Sequence, residues 1–470
     1  MGARNADCSW HGWEFLEDMT GVKDLVSLTP EQQSFATFRG HQFYSNAVPA
    51  GLILDLPRHE LAAGVADTPD IYLSDERWRP AGGRRPAEAA IAVHRRLENG
   101  RVVWLGFNER LVGSKLENGP QWFESYARAG IRWVAHEPLI AVANWPKRQQ
   151  AAVLVSVEAG SDMAAAKAAS GVCVEQNVPA TVFLSKPPEP GEPLAGRYVE
   201  IGAGGDPNQP VSERNVFGQV QFLKDLKSSL EAGDELQITG FKPPQDLWDL
   251  DTMVAMRSSG YRYFLDHGTN HQAVPELFEF PSATWFGGKV EVAKISSGWS
   301  NDFEVVSEYK GPTPWTEELS RGFLDEFGWG LYLGGNYTLS IRSSLLGAPE
   351  NLPILRSMLR HLKQQPVWFA TGTQLSNWWS RRDKVRVEAQ RVNQHRVRVS
   401  VVNRGREAVE DLSVYLHLPH RPTRIRLISE FIGRTPPQHT LEPNEDVLRL
   451  EFPRLNKESS QVFLVAMDES

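Results

Sequence analysis

Apolar and polar positions alternate with a period of two in residues 385–389, 396–402, 413–418, 424–428, 447–452 and 461–467. That alternation puts every second side chain on one face, so these segments predict strands facing a core on one side. Turns such as Asn403-Arg404-Gly405 separate them, and the economical reading is a small β-sandwich of immunoglobulin-like shape. Before residue 383 the texture is different. Residues 151–157 form an unbroken apolar strand, followed by a small-residue helix over 163–173. A helix over 216–230 carries apolar residues at 216, 217, 220, 223, 226 and 230, and another over 250–259 stops at Gly260, the usual residue at a helix end. Continued strand–helix alternation predicts a barrel of parallel strands with helices outside, whose chemistry collects at the C-terminal strand ends.

The first segment also reads as α/β, with short strands at 51–56, 70–73 and 101–107 and amphipathic helices at 86–98 and 120–129. Pro146 and Lys147 mark its boundary. The expected class is therefore α/β in three domains: 1–145, a barrel over 146–382, and a β-sandwich over 383–470. A length of 470 residues fits this, because single cores stop growing well below that size.

Composition narrows the partners. Hydrophobic residues make up 41% and charged residues 23%, with a net charge of −8 that is spread along the chain. No basic run is interleaved with aromatics, and Arg84-Arg85 after Gly82-Gly83 reads as a solvated loop, so a nucleic-acid partner is not expected. No stretch approaches the roughly 20 apolar residues of a membrane helix, and the first residues lack the basic-then-apolar layout of a secretory signal. Cys8 and Cys173 are the two cysteines, too few for a disulfide framework or a structural zinc site. Cys8 lacks the flanking glycines of a nucleophile elbow and reads as a structural thiol. Most of the 15 tryptophans belong to cores. Trp285, Trp299, Trp315 and Trp329 fall in long loops, the usual place for aromatic rings that grip sugars.

Four motifs then fall in order. Val155-Ser156-Val157-Glu158-Ala159-Gly160 ends the first barrel strand, and Val178-Pro179-Ala180-Thr181-Val182-Phe183-Leu184 forms the second. Phe241-Lys242-Pro243-Pro244-Gln245-Asp246 comes third, with a helix after it, and Tyr337-Thr338-Leu339-Ser340-Ile341-Arg342 precedes a closing Pro366–Thr373 run with Trp378-Trp379. In this order the chain resembles the polysaccharide deacetylase family, the NodB-homology or carbohydrate esterase family 4-like fold, with degenerate catalytic motifs. The resemblance implies a metal site at Ala159, Gly204 and Asn208, where the family has an aspartate and two histidines. None of the three is a family ligand, so the resemblance implies that the site is lost and that no cofactor is needed.

Glu158 keeps a carboxylate at the position of the family's base. Lys242 keeps the charge of an arginine that orients it, and Arg342 stands where a histidine acts as acid. Arginine holds its proton at neutral pH, so Arg342 is suited to stabilising an anion. These three are the catalytic candidates; Asp162, Asp206, Asn208, Asp302 and Trp299 are candidates for binding. One alternative metal site is open. Asp266-His267-Gly268-Thr269-Asn270-His271 lies near the barrel rim, and Asp266, His267 and His271 would suffice for zinc or another divalent metal with one position left for water. The expected partner is an oligo- or polysaccharide of the cell exterior or envelope, either bound or, with the alternative site, N-deacetylated. Such families are typically extracytoplasmic, but the compartment stays open. Residues 99–107 also resemble the late strand of glutamine-amidotransferase-like domains, in a reduced or trimmed form.

Overall fold

In a computed structural model, residues 14–28, 34–40, 48–56, 61–81, 85–98, 100–107, 119–160, 162–188, 198–205, 210–232, 236–267, 272–280, 290–296, 299–308, 317–431, 435–443 and 445–468 are described. The protein is mixed α/β and divides into two compact units: residues 149–380, and residues 1–148 together with 381–470.

The unit of residues 149–380 is built on a curled nine-stranded sheet. Ala151–Glu158 lies next to one end of the strand order, and every side chain in it but the last is buried, as a strand covered on both faces requires. Asn336–Arg342 pairs with it on one side, and Ala180–Leu184 on the other, both parallel. Val367–Phe369 pairs with its first residues. Parallel order continues through Val199–Gly204, Gly240–Lys242, Tyr263–Asp266 and Val290–Ser296, and Glu276–Phe280 ends the sheet antiparallel. The expected all-parallel barrel is thus a half-barrel with one antiparallel edge. Side chains bridge the remaining gap: Asn336 Nδ2 and Thr338 Oγ1 donate to the Ser296 carbonyl at 3.1 and 2.9 Å.

Local chemistry sets the helix boundaries. Asp162 Oδ1 accepts from Ala165 N at 2.9 Å and caps Met163–Glu175. Asn215 caps Val216–Glu231, and an Asp249–Thr252 capping box starts Leu250–Ser258. Each supplies an acceptor to an N–H that has no partner within the helix. Gly260, at φ +78°, follows the last of these helices, as expected. Inside the sheet, the Tyr263 ring fits only because two glycines face it. A Cβ on Gly240 or Gly372 would lie 2.1 or 2.2 Å from that ring. The Tyr263 hydroxyl and Thr373 Oγ1 both donate to Glu200 Oε1, at 2.6 and 2.7 Å, which satisfies polar groups a closed interior would otherwise strand.

The other unit contains a seven-stranded antiparallel sheet in the order Lys23–Leu28, Leu61–Val65, Ala90–Leu97, Ile71–Ser74, Ser34–Phe38 and Ile53–Leu56, with Gly100–Leu105 beside Ala90–Leu97. Two readings of the sequence are corrected here. Residues 86–98 were expected as a helix, yet only Pro86–Ala89 turns, as a short 3-10 helix, and Ala90–Leu97 is a strand. Ala90, Ile91, Ala92 and Val93 are consecutively buried, a run no helical face can produce, and the charged residues after them gave the false amphipathic look. The antiparallel register also departs from the strand–helix alternation expected of this segment. Residues 120–129 do form a helix, as part of Gly119–Val134.

The same unit holds two four-stranded antiparallel sheets. One comprises Val385–Asn393, Arg396–Asn403, Ser459–Met467 and Ile425–Ser429. The other comprises Gln438–Leu441, Val447–Leu455, Val409–His417 and Leu139–Val142. All six expected strands of the C-terminal segment are present. The two additions are Gln438–Leu441 and Leu139–Val142, and the second comes from the far side of the expected boundary at Pro146. Cys173 belongs to the 149–380 unit; it is fully buried, and burial pushes its thiol up to about 12, so it is inert. Cys8 lies outside the described residues.

Candidate functional site

The C-terminal strand ends of the 149–380 unit converge on a cavity of about 630 Å³. Register fixes who meets there. Glu158 is paired across to Phe183 on one side and Arg342 on the other, and Gly204 is paired to Lys242. Side chains of paired residues in a parallel sheet share a face, and all five residues line the cavity. The loop after Lys242 closes one wall. Gln245 and Asp246 stand in succession at φ +55° and +56°, a strained pair of non-glycine residues of the kind concentrated at functional sites. Gly205 lets Pro244 approach, since a Cβ there would lie 2.4 Å from Pro244 Cδ.

An ion pair between Lys242 Nζ and Glu158 Oε1 spans the cavity floor. Burial pushes the Glu158 carboxyl up, but the Lys242 ammonium outweighs it, with help from Arg342 and His267, and the group titrates below its ordinary value. Asp246 behaves oppositely: burial pushes it up, against the opposing pull of Lys242 and His267. Arg342 lies with its guanidinium carbon 4.7 Å from the centre of the Phe303 ring.

Among the described residues, two of the three positions implied by the resemblance to hold a divalent metal carry no donor side chain. Ala159 carries a methyl group, Gly204 carries no side chain, and the cavity wall includes the cations Lys186, Lys242 and Arg342. Asn208 and Asp206 lie outside the described residues. Among the described residues, no group of three or more His, Cys, Asp or Glu side chains is placed to hold a metal ion. Of the alternative set, Asp266 Oδ2 lies 3.8 Å from Lys294 Nζ, and His267 Nε2 lies 2.9 Å from Glu304 Oε2. His271 lies outside the described residues.

Three binding candidates have structural placements. Trp299 is a core residue, 1% exposed, with its indole N–H donating to the Asn336 carbonyl at 2.9 Å; it is corrected from a sugar-gripping aromatic because its ring and its N–H are both used inside the fold. Asp302 is fully buried, and its Oδ2 accepts from the backbone N–H groups of Arg342 and Leu346 at 2.7 and 3.1 Å. It therefore positions the Arg342 strand end from behind instead of meeting a ligand. Asp162 is a helix cap, as described above. Trp329 is a half-buried residue of the helix Glu317–Leu333, while Trp285 and Trp315 lie outside the described residues. Sequence reasoning missed Asp246, Lys186, Asn301 and Ser343 as cavity residues. For Asp246 the only available signal was its place two residues after the Pro243-Pro244 pair.

No family model matches the chain, and no curated protein matches it. Solved structures do. A probable polysaccharide deacetylase from Pseudomonas aeruginosa is 15% identical over 51% of this chain and 93% of its own, at a TM-score of 0.39. A Puue allantoinase is 13% identical over 50% of this chain and 92% of its own, also at 0.39. A CE4 family pseudoenzyme from Bacillus anthracis is 12% identical over 49% of this chain and 66% of its own, at 0.31. At these scores the similarity carries no weight for activity or substrate.

Proposed function

We propose that the 149–380 unit is a deacetylase-like barrel that binds an oligosaccharide in the cavity at its strand ends, without a metal and without hydrolysing it. In this reading the two four-stranded sheets of the other unit form a β-sandwich in an accessory role. The Glu158–Lys242 ion pair carries the proposal. A general base works best with a pKa near the operating pH, whereas Glu158 is held below its ordinary range by the ammonium that contacts it. Arg342 cannot serve as an acid. With the carboxylate committed and no donor at Ala159 or Gly204, the positive charge near Glu158 is supplied by lysine. The cavity volume falls within the range of about 300–1,000 Å³ typical of small-ligand sites, and Ser185, Asn301, Ser343 and Ser344 line it with hydrogen-bonding groups.

The version with a metal on Asp266, His267 and His271 has less support, because the first two already face Lys294 and Glu304. Calorimetric titration of acetylated chito-oligosaccharides into the full chain checks the reading. Binding is expected to be the same before and after treatment with a chelator. Binding that disappears on chelation and returns with zinc contradicts the metal-free site.

A further inference from the structure

The charges of the cavity are unevenly matched. Among the described residues, three cations line it, Lys186, Lys242 and Arg342, against two carboxylates, Glu158 and Asp246. Glu158 is taken by Lys242. Burial pushes the Asp246 carboxyl up from its ordinary value, against the opposing pull of Lys242 and His267. Arg342 and Lys186 make no ion pair among the described residues. Asp302 turns its Oδ2 to the backbone N–H of Arg342.

Arg342 is also well held. Its backbone is fixed by pairing with Glu158 and by Asp302, and its guanidinium lies over the ring of Phe303, a residue that is 53% exposed. The guanidinium, which lines the cavity, offers an acid group a planar, two-pronged donor. A neutral sugar would leave that donor's charge unmatched.

We propose that the cavity takes an acidic oligosaccharide, a chain bearing uronic-acid carboxylates, with one carboxylate seated on Arg342 and Lys186 drawing the chain in at the rim. This rests on the glycan-binding reading above and adds the chemical class of the ligand.

The test compares three probes of equal length in calorimetry with the full chain: an oligogalacturonate, its methyl ester, and an N-acetylated chito-oligosaccharide. The acid is expected to bind at least about tenfold tighter than the ester, the scale of one hydrogen-bonded charged contact, with the preference shrinking as salt is added. Arg342→Gln should lower the affinity for the acid toward that of the ester, at an unchanged urea midpoint. Lys186→Gln, an exposed change outside any strand, provides a second variant with the same direction. Equal affinity for acid and ester, with the chito-oligosaccharide still bound, overturns the acidic ligand and leaves the glycan-binding reading standing. No binding of any of the three overturns both.

Discussion

Arg101→Met is expected to destabilise the protein by about 3–5 kcal/mol, the cost of leaving a buried charge without its partner. Arg101 is 6% exposed in the unit formed by residues 1–148 and 381–470. Its guanidinium pairs with Asp446 and donates to the carbonyls of Trp133 and Leu418 at 2.8 and 2.7 Å. It also lies 5.0 Å over the Trp133 ring. One side chain therefore ties the helix Gly119–Val134 to the turn and loop that flank two C-terminal strands. Methionine fills much of the volume but leaves Asp446 buried and unpaired. Adding Asp446→Leu should recover much of the loss, since replacing both partners of a buried pair by apolar groups is often neutral. Urea denaturation of both variants decides it: a loss under about 1 kcal/mol for Arg101→Met would place the pair among weak surface bridges.

The second large effect is a pH dependence set by Asp302. Burial raises its carboxyl from 3.8 to about 7, against the two backbone N–H groups it accepts from. In the unfolded chain the group loses its proton near its ordinary value. Between about pH 4 and 7 the folded form therefore binds the extra proton, and stability must fall as pH rises through that window. A shift of roughly three units corresponds to at most about 4 kcal/mol. Asp302→Asn keeps an oxygen for the Arg342 and Leu346 N–H groups and stays neutral at every pH. The difference in unfolding free energy between wild type and variant should move in the variant's favour from pH 4.5 to 8, then level off. A difference that stays flat across this range would mean that Asp302 is ionised in the fold at both ends of it.

What the sequence made legible follows from how local each feature is. The apolar run at 151–157, the glycine after Ser259 and the alternating strands past residue 383 are short-range patterns, and the structure contains the elements they predict. Features made by distant pairing were invisible. Leu139–Val142 joins a sheet with Val409–His417, and nothing in four apolar residues announces a partner that far along the chain. Ala90–Leu97 is similar: its strand character comes from neighbours on both sides, which override a local pattern that also suits a helix.

The site shows the same division. Glu158, Lys242 and Arg342 could be singled out because they end strands in a recognisable order, and register does bring them to one cavity. Their chemistry was not legible, because the Glu158–Lys242 contact links residues that the sheet order alone brings near. Trp299 and Asp302 were misread for one reason: a polar or amphipathic side chain in a loop is ambiguous until its hydrogen bonds are known. Both spend theirs on the Asn336–Arg342 strand and the segment just after it.

The claim that this barrel has exchanged metal chemistry for binding is tested most directly by acetate release. The 470-residue chain, loaded in turn with zinc, cobalt and nickel, is incubated with acetylated chito-oligosaccharides and with an acetylated uronate oligomer, and free acetate is measured. No acetate above the protein-free control is expected with any metal. Metal-dependent release that is abolished by Glu158→Gln would contradict the account, because it would show that Glu158 is free to act as a base despite its contact with Lys242.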